Sequence, residues 1–221
     1  MTFPFRTIAF DLDGTIADTA PDLTAALNHA LGALGRPPVP AESVRHMVGH
    51  GARALLQKGL AATGEMTPAL VEEGFPIFLD YYEAHICVGS TVYPGLEAAL
   101  DGLAAEGVKL AVCTNKLEGL ARQFLDTLGW TERFAAIVGG DTCPVRKPDP
   151  LPLDEAITRA GGGPAAFVGD SITDTDTARN AGLPCVAVSF GFSDRPPAQL
   201  GATALIDHFD ELIPALRRIG G

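Results

Sequence analysis

The sequence predicts an α/β protein with a Rossmann-like parallel sheet core and an inserted α-helical cap domain. Three observations point there. Five short apolar runs, Thr7–Phe10, Val108–Cys113, Ala135–Val138, Ala165–Val168 and Cys185–Ser189, have the length of strands buried on both faces. Segments of helical period separate the later runs, and this alternation is the pattern of a parallel sheet covered by helices. The first run is cut off from the second by a long stretch rich in alanine and leucine that contains no clear strand. A parallel crossover rarely needs so much chain, so the stretch reads as an insertion.

Taken in order, Thr7–Phe10 is the first strand. Asp22–Leu34, Glu42–Val48, Ala52–Ala62 and Pro68–His85 are expected helices, with Pro37–Pro40 as a connecting loop. Asp22 has the acid-first character suited to a helix N-terminus. The chain returns to the core at Val92–Gly95. Leu96–Ala105 then repeats Leu96, Leu100 and Leu103, and Leu117–Leu128 repeats Leu117, Leu120, Phe124 and Leu128. Leu153–Ala160 and Thr173–Ala181 are further helices, and Gly107, Gly129, Gly161 and Gly182 mark helix ends. The expected division is a discontinuous core, residues 1–17 and 90–221, and a helical cap, residues 18–89.

Composition narrows the function. The chain has 221 residues, 47% of them hydrophobic and 19% charged, as a globular protein with a sizeable core requires. A net charge of −11 argues against nucleic acid and anionic membranes as partners. Four cysteines with no metal-binding spacing read as reduced thiols, which fits a cytoplasmic protein. No signal peptide and no apolar run of membrane-spanning length is evident.

In open parallel sheets, ligands bind beyond the carboxyl ends of the strands. The residues after each strand are therefore informative. Asp11 and Asp13 follow the first; Thr114, Asn115 and Lys116 follow the second; Gly139-Gly140-Asp141 and a loop with Arg146 and Lys147 follow the third; Asp170, Ser171 and Asp174 follow the fourth. Each alone is ordinary turn or capping chemistry. Together they bring acids, a hydroxyl, an amide and a lysine to one edge. Clustered carboxylates call for a hard cation, and Mg²⁺ favours carboxylates, water and a phosphate oxygen. One acid can attack phosphorus while its neighbour handles the leaving-group proton. The hydroxyl, amide and lysine would hold phosphoryl oxygens.

These residues resemble the motifs of the haloacid dehalogenase superfamily. Asp11-Leu12-Asp13-Gly14-Thr15 looks like its first motif, Thr114 its second, Lys147 its third and Gly169–Asp174 its fourth, in family order with a cap between the first two. The resemblance implies Asp11 as nucleophile forming an aspartyl-phosphate, and Asp13 as general acid and then base. It implies Thr114 and Lys147 as phosphoryl ligands. Mg²⁺ would be held by Asp11, the Asp13 backbone carbonyl and Asp170, with Asp174 orienting Lys147 or a metal-bound water. An aspartate at position 13 is not expected in the dehalogenases or phosphonate-cleaving relatives. Lys58, the only lysine of the insert, reads as a surface charge.

Within the superfamily the chain is most similar to phosphoglycolate phosphatases, through Asp18–Leu23, Val44–Leu56, Thr91–Leu96, Thr114–Lys116 and Lys147–Pro150. That likeness implies a small phosphorylated metabolite as ligand. Arg45, His46 and His50 are candidates for contacting it from the cap, Arg45 through a bidentate bond to a carboxylate. Other small phosphates (a sugar phosphate, pyrophosphate, a muramic acid phosphate) are alternatives. So are a sugar phosphomutase and, outside enzymes, a phospho-aspartate signalling domain. The sequence leaves the oligomeric state open.

Overall fold

The computed structural model describes residues 2–193 and 195–221. The chain opens with β1 (Thr7–Phe10) and a two-residue strand β2 (Ala17–Asp18). Four helices follow: α1 (Ala20–Ala33), α2 (Ala41–Arg45), α3 (Ala52–Thr63) and α4 (Pro68–Ala84). The chain returns through β3 (Thr91–Val92). It then runs through α5 (Leu96–Ala105), β4 (Lys109–Cys113), α6 (Glu118–Thr127), β5 (Ala136–Val138), α7 (Leu151–Arg159), β6 (Ala165–Gly169), α8 (Ile172–Asn180), β7 (Cys185–Val188), β8 (Ala204–Ile206) and α9 (Leu212–Ile219).

The main sheet has the order β5-β4-β1-β6-β7-β8, and every neighbouring pair is parallel. Side chains of a strand alternate between faces. Ile8 and Phe10 accordingly join one apolar cluster with Leu120 and Phe124 of α6 and Leu212 and Leu216 of α9. Ala9 joins a second with Leu153 and Ala156 of α7 and Ala178 of α8. Helices thus cover both faces. β1 lies between β4 and β6, with Phe10 level with Val112 and Val168. That register brings Asp11, Thr114 and Asp170 out at one edge of the sheet.

In the inserted stretch, α4 presents Val71, Gly74, Phe78 and Tyr82 at spacings of three and four, a single apolar stripe. It packs on α1 and α3. The outgoing and returning linkers lie side by side, because β2 pairs antiparallel with β3. Asp22 ties them further. Its buried carboxylate accepts from the backbone N–H of Val88 (3.0 Å), Gly89 (2.8 Å) and Ser90 (2.9 Å) and from the Ser90 hydroxyl (2.6 Å). It sits in the first turn of α1, as its sequence position suggests, yet serves the returning linker.

Several expectations are corrected. The second helix ends at Arg45 and does not run to Val48, because Gly49 and Gly51 adopt φ of 107° and 86° and turn the chain. Lys58 is half-buried and donates to the Met47 carbonyl at 3.0 Å, so its charge is anchored to the α2–α3 loop. The strands β2, β3 and β8 and the helix α9 go beyond the sequence reading.

Candidate active site

At the edge beyond β1, the Asp11 carboxylate is almost wholly buried and Lys147 Nζ lies 2.9 Å from its Oδ1. The same ammonium reaches Asp174 Oδ1 at 2.6 Å. Asp174 is fully buried and braced at its other oxygen by the N–H groups of Asp170 (3.1 Å) and Ser171 (3.0 Å) and by the Ser171 hydroxyl (2.6 Å). Ser171 and Asp174 form the capping box of α8, so the helix start holds the carboxylate that holds the lysine. Asp170 accepts from the Thr15 hydroxyl (2.9 Å) and the Phe192 N–H (2.7 Å). Gly14 makes room for it: φ there is 89°, and a Cβ would lie 2.5 Å from Asp170 Oδ2.

Three buried carboxylates, Asp11, Asp170 and Asp174, thus have their nearest oxygens within 4.8 Å of one another, and one ammonium is paired with two of them, Asp11 and Asp174. Burial pushes the Asp11 carboxyl up to about 6 against the opposing pull of Lys147. Burial, and then the charges of Asp174 and Asp11, raise Asp170 well above the usual carboxylate range. For Lys147 burial works against the charge, but Asp11 and Asp174 outweigh it and its pKa is raised. The deficit of positive charge fits a divalent cation, and so does one orphaned atom. Asp11 Oδ1 is buried and has no aligned hydrogen-bond donor among the described residues, Lys147 being close but misaligned. All-oxygen ligands suit a hard ion such as Mg²⁺. Asp174, with both oxygens engaged, is left as a brace.

Asp13 lies on the adjoining side. Its Oδ1 accepts from the Thr19 hydroxyl (2.7 Å) and from Lys116 Nζ (2.9 Å). Lys116 is buried and also reaches the Tyr82 hydroxyl of α4 at 2.6 Å. Asp11, Asp13, Thr114, Asn115, Lys116 and Tyr82 share one cavity with apolar walls that include Leu23, Leu55 and Leu120. The sequence places Lys116 at this edge without giving it a role, and does not single out Tyr82. Lys116 stands in the same post-strand segment as Thr114, which was the available signal. Tyr82 looks like one more aromatic of an amphipathic helix.

Other expected ligands are placed differently. Asn115 donates its side-chain amide to the carbonyls of Gly49 (2.9 Å) and Lys147 (3.2 Å) and so ties two loops beside the cavity it lines. Arg45 pairs with Asp18 of β2, and its guanidinium lies 5.2 Å from the Phe192 ring centre. It does not line the cavity of Asp11 and Asp13. His46 and His50 line an adjoining small cavity with Lys58, Ser171, Thr173 and Phe192, and the two cavities share Val48 and Gly49. The four cysteines are free thiols.

The chain belongs to the haloacid dehalogenase-like hydrolases, whose family model matches residues 8–188 and so spans this aspartate cluster and its lysine. Within that family it is a phosphatase. It is 46% identical over 210 residues to the phosphoglycolate phosphatase of Caulobacter vibrioides, covering 92% of this chain and 87% of that one. It is 43% identical to the phosphoglycolate phosphatase of Agrobacterium fabrum, covering 94% and 90%. A crystal structure of a predicted phosphoglycolate phosphatase from Haemophilus somnus superposes with a TM-score of 0.90 at 31% identity, covering 96% of this chain and 97% of the other. Among the described residues no helix is long and apolar enough to cross a membrane.

Proposed function

We propose that the chain is a Mg²⁺-dependent phosphomonoesterase that hydrolyses 2-phosphoglycolate through an aspartyl-phosphate on Asp11. The observation that carries this is the buried Asp11 carboxylate, paired with Lys147 at 2.9 Å and clustered with Asp170 and Asp174, in the wall of the cavity that Asp13 also lines. The relatives named phosphoglycolate phosphatase support this choice of substrate.

In this reading Asp11, the Asp13 backbone carbonyl and Asp170 would hold Mg²⁺, which would supply positive charge to offset that of the phosphoryl oxygens. A carboxylate oxygen of Asp11 forms a bond to phosphorus as the bond to the glycolate oxygen breaks. Asp13 gives that oxygen its proton. Asp13 then takes a proton from the water that attacks phosphorus, releasing phosphate and restoring Asp11. Lys147 and Thr114 hold the phosphoryl group, and Asp174 keeps Lys147 in place. Residues 18–89 act as a cap over the core of residues 1–17 and 90–221, excluding water during transfer. The free cysteines support a cytoplasmic location.

The test is phosphate release from a panel of small phosphates, with Mg²⁺ and with chelator. A Mg²⁺-dependent preference for 2-phosphoglycolate supports the reading. Release from a different member keeps the chemistry and replaces the substrate. Interconversion of sugar phosphates without net release would favour a mutase.

A further inference from the structure

We propose that Lys116, braced by Tyr82, is the specificity-determining residue that recognises the carboxylate end of the substrate. This rests on the phosphoglycolate reading. A dianionic phosphate ester with a second negative charge needs a cation on the leaving-group side of the phosphoryl centre. Among the residues lining the cavity at Asp11 and Asp13, Lys116 is the one cation. Arg45 is engaged by Asp18, and His46 and His50 line the adjoining cavity and not this one.

Lys116 is also chemically unfinished. An ammonium has three N–H donors. Two are accepted, by Asp13 Oδ1 at 2.9 Å and Tyr82 Oη at 2.6 Å, and the third has no acceptor among the described residues. Tyr82 is 1% exposed. Its oxygen receives the lysine proton, while its own O–H has no acceptor among the described residues. Two unspent donors therefore sit side by side on the wall of one cavity, enough to meet a carboxylate.

The position sets the size of the ligand. Lys116 touches Asp13, the residue assigned to the leaving-group oxygen, so the anion must follow that oxygen after a short spacer. The neighbouring walls at Leu23, Leu55 and Leu120 offer no partner for hydroxyl groups. A two-carbon acid fits that arrangement, whereas a sugar would leave its hydroxyls without partners. Because Lys116 follows β4 while Tyr82 belongs to α4, the recognition site is complete only when helix and sheet edge are together.

The experiment compares kcat/KM for 2-phosphoglycolate with that for 2-hydroxyethyl phosphate, which keeps the spacer but replaces the carboxylate by an alcohol. It uses the wild type, Lys116→Met, Lys116→Arg and Tyr82→Phe. The proposal expects the ratio to fall about 10- to 100-fold in Lys116→Met. It expects a smaller fall in Tyr82→Phe and partial retention in Lys116→Arg. Equal losses on both substrates, with the ratio kept, would overturn it and show that Lys116 acts only through Asp13. If Lys116→Met does not fold, Tyr82→Phe decides, and an unchanged ratio there overturns the proposal. A wild type without preference for the acid would sink the substrate reading itself, a result distinct from a wild-type preference that the variants leave intact.

Discussion

Asp22→Ala removes, in one change, the acceptor of four hydrogen bonds from the returning linker. A hydrogen bond to a charged group contributes about 1.5–3 kcal/mol, but the four share one carboxylate and do not add. Water can also serve some of the freed donors, since Val88 is 76% exposed. The expected loss is therefore about 2–4 kcal/mol. At roughly 2–4 °C per kcal/mol for a protein of this size, the melting temperature should fall by about 4–16 °C. Asp22→Asn keeps one acceptor oxygen and should fall between alanine and wild type. Thermal unfolding followed by circular dichroism reads the shift. KM should rise in parallel, because the linkers set where the helices meet the sheet edge. An Asp22→Ala protein melting within about 2 °C of wild type would refute the claim that this carboxylate clamps the two linkers.

Three further outcomes are expected. Burial holds the Asp11 carboxyl at about 6 in the folded protein, above its value in the unfolded chain, so the folded state binds that proton more tightly. Without metal, this group's contribution to stability is lost as pH rises through about 6, and the Mg²⁺-induced rise in Tm should be larger at pH well above that value than below it. A rise independent of pH would contradict this. Gly14→Ala places a Cβ 2.5 Å from Asp170 at a φ of 89° and should cost about 1–3 kcal/mol along with activity. Gly32→Ala, in open space on α1, should instead stabilise slightly in the same melting assay. Lys147→Met leaves Asp11 and Asp174 buried without their cation and should cost about 3–5 kcal/mol in metal-free protein. Part of that loss should be recovered on adding Mg²⁺, as read from melting curves with and without the ion.

Most of the catalytic edge was legible because Asp11, Asp13, Thr114 and Asp170 each follow an apolar run by one to three residues, and parallel strands end level with one another. The register of Phe10 with Val112 and Val168 makes that alignment physical. Elements of two or three residues, β2, β3 and β8, are too short to show a period. The cap ligands were harder for a different reason. Arg45, His46 and His50 have the residue types that would contact an anionic ligand from the cap, but side-chain direction decides contact. Asp18, the nearest acid across the linker, takes the guanidinium. Lys116 meets Tyr82 across 34 positions of sequence, a contact no local pattern encodes. Asp22 had the right residue in the right turn, and its tertiary partners supplied a role that helix capping alone would not suggest.

The central claim is that Asp11 carries the phosphoryl group in turnover. The direct measurement is acid quenching of the enzyme during steady-state hydrolysis of 2-phosphoglycolate with Mg²⁺, followed by peptide mass spectrometry. The account predicts a peptide containing Asp11 heavier by one phosphoryl group, absent with chelator and absent in a folded, inactive Asp11→Asn protein. Turnover by purified Asp11→Asn at a rate near wild type, or a phosphoryl group on another residue, would contradict it.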